Sequence, residues 1–217
     1  MILYTLYKNS YISIRDLEKK EDGSFDQKIY VNLTNKCPCA CTFCLRQTKE
    51  MLESNTLWIK KEPSAKEVIE ELDSYNLSAT KEIVFCGFGE PTERIDTFAE
   101  IADHIRKNYP DIQIRMNTNG LGSLVNHKDI APMLEGRLDT VSISLNTSSA
   151  KEYLDVTKSR FGIGSYQAMK DFAVECKKYV PHVVMTVVDV IGQKEIEECK
   201  KITEELGVEY RVRPFEK

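Results

Sequence analysis

Four of the chain's seven cysteines, Cys37, Cys39, Cys41 and Cys44, fall within eight residues, in Thr34-Asn35-Lys36-Cys37-Pro38-Cys39-Ala40-Cys41-Thr42-Phe43-Cys44-Leu45-Arg46. Thiols packed this densely are not scattered core filler, and thiolates in such a run share a soft metal or an iron–sulfur cluster. A structural zinc site using all four is the plainer alternative. Zinc ribbons and fingers, however, take ligands as short pairs separated by a longer insert, so that two turns close a tetrahedron. Four in one run, spaced one and two residues apart, fit that arrangement poorly. Cys176 and Cys199 fall on apolar faces of helical segments and read as core filler.

Further residues with chemical potential sit at the ends of strand-like segments. Cys86-Gly87-Phe88-Gly89-Glu90-Pro91-Thr92 follows the apolar run Glu82–Phe85, and Asn117-Thr118-Asn119-Gly120 closes the run from Ile112. Taken singly, the first is a glycine turn before a helix and the second a turn signal. Residues 138 to 146 alternate cleanly, with Val141, Ile143 and Leu145 on one face and Ser142, Ser144 and Asn146 on the other. Asp189 ends the strand predicted over 182 to 189, and Arg211 and Arg213 lie in the last strand, 208 to 213. An inward arginine there would hold an anionic substrate group through a bidentate contact. An exposed edge, with Glu209, Arg211 and Arg213 solvated, fits equally well.

The elements that must position these residues alternate. Residues 29 to 34 form a strand that delivers the cysteine loop at its C-terminal end, where parallel α/β folds keep their active sites. Ser64-x-x-Glu67 behind Pro63 predicts a capped helix, with Val68, Ile69, Leu72 and Tyr75 on one face. Further helices are expected over 94 to 108, 149 to 158, 165 to 179 and 193 to 206, and a short helical stretch over 126 to 134, interrupted at Pro132. Trp58 reads as a hydrophobic plug over the core. Six strands alternating with helices predict parallel pairing through right-handed crossovers, too few strands for a closed eight-stranded barrel. Strands buried on both faces are continuous apolar runs, whereas Asn32 and Thr34, Arg115 and Asn117, and Ser142, Ser144 and Asn146 form polar rows. Such rows would be costly inside a dry barrel. An open partial barrel, apolar outward and polar around a bound ligand, resolves the conflict. Residues 1 to 28 read as an N-terminal β-hairpin about Lys8-Asn9-Ser10 plus a charged loop with almost nothing to bury. Residues 29 to 217 form the core of what is a single domain overall.

With Cys39 set aside, Cys37-x3-Cys41-x2-Cys44, with an aromatic before the last cysteine, resembles the cluster signature of the radical S-adenosylmethionine (radical SAM) enzymes. Gly87 to Pro91 resembles the family's Gly-Gly-Glu-Pro motif, with Phe88 in place of its first glycine, and Asn117 to Gly120 resembles its nucleotide-contacting strand end. The resemblance implies a (β/α)6 partial TIM-like barrel. It implies a [4Fe-4S] cluster on Cys37, Cys41 and Cys44, with one iron left open for S-adenosylmethionine. Cys39 would be a bystander, because Cys-x-Cys side chains in an extended loop point opposite ways. Reductive cleavage of S-adenosylmethionine would give a 5'-deoxyadenosyl radical that abstracts hydrogen from a substrate. Carried over by position, Phe43 would pack near the adenine, and Gly87, Gly89 and Glu90 would form the turn that meets the amino group. Asn117, Asn119, Ser144 and Asn146 would serve the carboxylate and ribose, with Asp189 as a further candidate. Within the superfamily the chain is similar to the TatD-associated radical SAM proteins, through Asn32 to Cys39, Phe43 to Arg46 and Leu57 to Pro63. That likeness implies a functional association with a TatD-type hydrolase. A ferredoxin or flavodoxin would be the one-electron donor. A glycyl-radical activase acting on a protein is the alternative within the family, and a non-enzymatic zinc protein the alternative outside it.

Composition narrows the partners. The 217 residues carry 30 Lys and Arg against 34 Asp and Glu, a net charge of -4, so no basic field exists to hold nucleic acid or an anionic membrane. The apolar start Met1 to Tyr7 lacks a basic region and is too short for a signal peptide, and no run could span a bilayer. Clustered thiols with an odd cysteine total argue for a reducing compartment, and a cytoplasmic location is expected.

Overall fold

A computed structural model describes residues 1–8, 10–48 and 56–215. Its strands are β1 (Leu3–Tyr7), β2 (Ser10–Ser13), β3 (Ile29–Val31), β4 (Glu82–Phe85), β5 (Gln113–Thr118), β6 (Thr140–Ser144), β7 (His182–Val188) and β8 (Glu209–Arg213). The helices are α1 (Leu45–Thr48), α2 (Ala65–Asp73), α3 (Ile95–Asn108), α4 (Gly122–Asn126), α5 (Ala150–Thr157), α6 (Ser165–Cys176) and α7 (Gln193–Leu206). Strands β3 to β8 pair in chain order and all in parallel, the topology that strand–helix alternation dictates. The result is a six-stranded partial TIM-like barrel.

Register separates two rows. Ile29, Ile83, Ile114, Met116, Val141, Ile143, Val183 and Met185 point outward and are buried beneath the helices. Phe85 meets Phe98 of α3 edge-on at 4.7 Å, and Ile95, Ile101, Ala102 and Ile105 complete that helix's buried stripe. Tyr30, Val84, Arg115, Asn117, Ser142, Ser144 and Thr186 occupy the opposite row, as the alternation in the sequence predicts.

The N-terminal hairpin is part of this sheet rather than an appendage. β1 pairs antiparallel with β2 on one side and with β3 on the other, where Tyr4 lies opposite Tyr30, giving an eight-stranded open sheet of order β2-β1-β3-β4-β5-β6-β7-β8. Lys8 turns the hairpin with a left-handed φ of 48°; Asn9 lies outside the described residues. The charged segment that follows has more to bury than its composition suggests. Leu17 and Phe25 are both in the core, Phe25 edge-on to Tyr75 at 6.0 Å, and Thr80 donates to the Phe25 carbonyl.

Two other expectations are corrected. Trp58 is not a core plug: it is 47% exposed and leans edge-on against Phe88, while its neighbours Leu57 and Ile59 are the buried residues. Alternation in an extended strap turns one side chain out for each pair turned in. The helix expected over 126 to 134 is instead α4, ended by His127 in a left-handed conformation (φ 52°), and a 3₁₀ turn over Ala131–Leu134 that accommodates Pro132. The helix from Ser64 forms as its capping box predicts, with Ser64 accepting from the Glu67 amide and Glu67 accepting from the Ser64 amide.

Ser64→Ala removes one half of this box and should lower stability by about 1 kcal/mol. The check is the urea midpoint, with the slope of the transition unchanged.

Candidate active site

The cysteine loop leaves β3 and is clamped from three directions. Asn35 exchanges hydrogen bonds with the backbone of Ile59, at 2.7 and 3.1 Å. The amides of Ala40 and Thr42 donate to Thr157 and Val156 at the end of α5, and Arg160 N–H to the Pro38 carbonyl. The Glu90 amide donates to the Lys36 carbonyl at 2.7 Å. A Cβ on Gly89 would fall on the Thr34 carbonyl, so only glycine lets this turn approach the loop; Gly87 lies as closely over the Asn32 side chain.

Glu90 is 4% exposed and does not offer its carboxylate to a ligand. Oε1 accepts from the Thr92 amide (3.2 Å), the Thr92 hydroxyl (2.8 Å) and the Thr118 hydroxyl (2.6 Å), and Oε2 from the Asn119 amide (2.8 Å). Burial pushes its pKa up, and these donors pull against it. What the residue presents to the cavity is therefore its backbone.

A cavity of about 380 Å³ lies inside the sheet at the C-terminal ends of the strands, within the range of small-molecule sites. Cys37, Cys41, Cys44 and Phe43 line one side of it. Gly87, Gly89, Glu90, Asn117, Asn119, Ser144 and Asn146 also line it, so the structure gathers these sequence candidates around one space. Asn146 turns there with a left-handed φ of 67°. Asp189 is outside the lining: its carboxylate accepts from the Phe215 amide at 3.0 Å and so fixes the C-terminal strap that does line the cavity. Of the two arginines in β8, Arg213 lines the cavity and Arg211 is exposed.

Cys39 departs from expectation. Its thiol is not turned away but buried within hydrogen-bonding reach of both Cys37 and Cys41. The loop bends at Pro38 rather than running extended, which removes the basis for opposite side-chain directions. The contact with Cys39 is the main reason the Cys37 and Cys41 pKa values fall, and that of Cys39 rises in return.

The sulfurs have the donors that cluster thiolates take. Arg46 Nε donates to Cys44 Sγ at 3.3 Å while its terminal nitrogens hold the carbonyls of Asn35 and Cys39. Asn119 Nδ2 lies 3.8 Å from Cys37 Sγ. No three His, Cys, Asp or Glu side chains among the described residues are gathered around one point as a single ion requires. A four-iron cluster spreads three thiolates over three irons and does not require that convergence. Cys37, Cys41 and Cys44 could hold such a cluster at the cavity mouth.

Several lining residues were not legible beforehand. Tyr4, Tyr30 and Phe88 form an aromatic wall, with Tyr4 stacked on Tyr30 at 5.1 Å and donating to the Cys86 carbonyl at 3.2 Å. Cys86 is itself in the lining, and burial raises its thiol pKa. Alternation from Val84 would have pointed Cys86 inward; the tyrosine wall depends on the β1–β3 register, which no local pattern announces.

A profile of the Radical SAM superfamily matches residues 31–206, the greater part of the chain, and the chain belongs to that superfamily. It is 31% identical over 134 residues to a GTP 3',8-cyclase of Paenarthrobacter nicotinovorans, covering 60% of this chain and 35% of that protein. It is 26% identical over 168 residues to a probable GTP 3',8-cyclase of Thermococcus kodakarensis, covering 76% and 49%. The chain thus spans a third to a half of the length of the curated relatives it matches. A radical SAM methyltransferase from Sphaerobacter thermophilus superposes with a TM-score of 0.61 at 16% identity, over 94% of this chain and 61% of that one. The FeFe-hydrogenase maturase HydG from Carboxydothermus hydrogenoformans superposes with a TM-score of 0.54 at 15% identity, over 86% and 44%. No helix among the described residues is long and apolar enough to cross a membrane.

Glu90→Ala would leave two buried backbone N–H groups without acceptors, and should cost about 2–4 kcal/mol. Denaturant unfolding measures the loss, and loosened protection of the amides of Thr92 and Asn119 in hydrogen exchange locates it.

Proposed function

We propose that this chain is a radical SAM enzyme in which a [4Fe-4S] cluster and S-adenosylmethionine supply a 5'-deoxyadenosyl radical that abstracts hydrogen from a substrate in the cavity. The observation that carries the reading is the placement of Cys37, Cys41 and Cys44 along one cavity inside a partial barrel, together with Gly87 to Glu90, Asn117, Asn119, Ser144 and Asn146. The backbone turn Gly87 to Glu90 and the side chains of Asn117, Asn119, Ser144 and Asn146 bind and orient the nucleotide. Arg46 places a cation and a donor on the Cys44 sulfur, which favours electron uptake there. The curved sheet and the aromatic wall exclude water from the space where hydrogen abstraction occurs. A small one-electron donor, a ferredoxin or flavodoxin, reduces the centre, and a TatD-type hydrolase is its functional associate. The cyclase activity named for the relatives belongs to longer proteins, of which this chain matches only a part.

The test is anaerobic reconstitution with iron and sulfide, then reduction and addition of S-adenosylmethionine. Paramagnetic resonance follows the cluster and chromatography the release of 5'-deoxyadenosine. A reduced four-iron signal that shifts with the nucleotide, with slow cleavage, is expected; uptake of zinc without cleavage would overturn the reading. Cys41→Ala should abolish the cluster signal while Cys39→Ala keeps it, despite the burial of Cys39 between its neighbours. Arg46→Gln should leave a cluster with a more negative midpoint potential, read by redox titration of the same signal.

A further inference from the structure

Among the described residues, three Asp, Glu, Lys or Arg side chains line the cavity: Glu90, Arg115 and Arg213. Two of them are already satisfied. Glu90 is held by the donors of Thr92, Thr118 and Asn119. Arg115 donates to both oxygens of Glu82, at 2.9 and 3.4 Å, and to Asn117 Oδ1 at 3.2 Å; Lys28 adds a second cation on Glu82. Arg213 is different. Among the described residues its Nε, shielded from solvent, has no acceptor and its guanidinium no ion-pair partner. A donor left in that state costs free energy, and a charged one more, unless a ligand supplies the acceptor.

The surroundings of Arg213 narrow the ligand. It is the last residue of β8, opposite Val188, and the strap Pro214–Phe215 behind it is fixed through Asp189. It lines the same cavity as Cys86, on whose thiol its charge acts, whereas Arg46 is the arginine that donates to a loop sulfur, Cys44 Sγ at 3.3 Å. Next to Cys86 stands the apolar wall, since Tyr4 donates to the Cys86 carbonyl and stacks on Tyr30. A planar guanidinium prefers a carboxylate or phosphate, bound by two parallel hydrogen bonds.

Resting on the function proposed above, we infer that the substrate is a small amphiphilic anion, its carboxylate or phosphate bound by Arg213 and its apolar body packed on the Tyr4–Tyr30 wall. Arg115, tied to Glu82, shapes the floor and takes no part in anion binding. Arg211, exposed on the same strand, takes none either.

The experiment titrates benzoate, acetate and inorganic phosphate into the reconstituted protein by calorimetry, and S-adenosylmethionine separately, for the unmodified chain and for Arg213→Gln, Arg213→Lys and Arg211→Gln. Binding at concentrations up to about 10 mM is expected, with benzoate above acetate if the carboxylate class is bound and phosphate strongest if the phosphoryl class is bound. Arg213→Gln should weaken the favoured anion about tenfold, Arg213→Lys less, and Arg211→Gln should stay within about twofold. S-adenosylmethionine affinity should stay within about twofold in all three. Absence of binding by every anion, equal binding in Arg213→Gln, or loss of nucleotide affinity with anion binding retained would overturn the inference. A chain that cleaves no S-adenosylmethionine yet binds benzoate through Arg213 would refute the proposed function and keep the anion site.

Discussion

The buried carboxylate of Glu90 is the constraint on which the site depends. It closes the turn after β4 through Thr92, ties that turn to the end of β5 through Thr118 and Asn119, and its own amide fixes Lys36 at the entrance of the cysteine loop. Three segments far apart in sequence thereby share one anchor. A buried carboxylate is expensive alone, and four donors are what make this one tolerable. The arrangement explains the glycine before it as well, because the Thr34 carbonyl occupies the space a side chain at position 89 would need. Asn119 links the anchor to the cysteine end of the cavity, its amide on Glu90 and its side chain beside Cys37.

The barrel's incompleteness is equally consequential. Six parallel strands cannot close, so the inner faces are not filled by layers of branched side chains as in an eight-stranded barrel. The inner row instead includes the polar Arg115, Asn117, Ser142, Ser144 and Thr186, while the outer row is apolar and buried under helices. Beside β3 the hairpin β1–β2 extends the sheet and brings Tyr4 and Tyr11 to the same cavity. It covers what would otherwise be the open edge of β3 and gives the cavity an aromatic side.

Much of this was legible in the sequence, for identifiable reasons. Period-two alternation in 138 to 146 and the capping box at Ser64 are local signals, and both elements form as they dictate. Clustered cysteines and a glycine turn placed at strand ends led to the right end of the barrel because parallel topology forces every strand's C-terminus to one side. The failures share a cause as well. Cys39 lies between Cys37 and Cys41 because the loop is bent by contacts with α5, Phe25 is buried by a contact with Tyr75, and Trp58 is turned outward by the burial of Leu57 and Ile59. Each is decided by packing that the local sequence pattern does not display. The last strand, for which an inward and a solvated reading fitted equally well, divides between them: Arg213 lines the cavity and Arg211, on the same strand face, is exposed.

The two ends of the cavity differ in charge, and the difference follows from where each cation is anchored. Arg46 sits two residues beyond Cys44 on the loop itself and spends its donors on that loop, so its charge stays with the sulfurs wherever the loop moves. Arg115 is anchored to β4 through Glu82, and that pair is a local neutral unit in the sheet. Arg213 has no side-chain partner among the described residues, and its Nε faces the cavity side, shielded from solvent. In a low-dielectric space an uncompensated cation acts over a longer range than a paired one, so Arg213 sets the sign of the potential at its end. A neutral or cationic substrate would leave the shielded Nε of that guanidinium without an acceptor, whereas an anion supplies one as it binds. Discrimination of that kind needs no additional residue, because the empty site is itself the state being disfavoured.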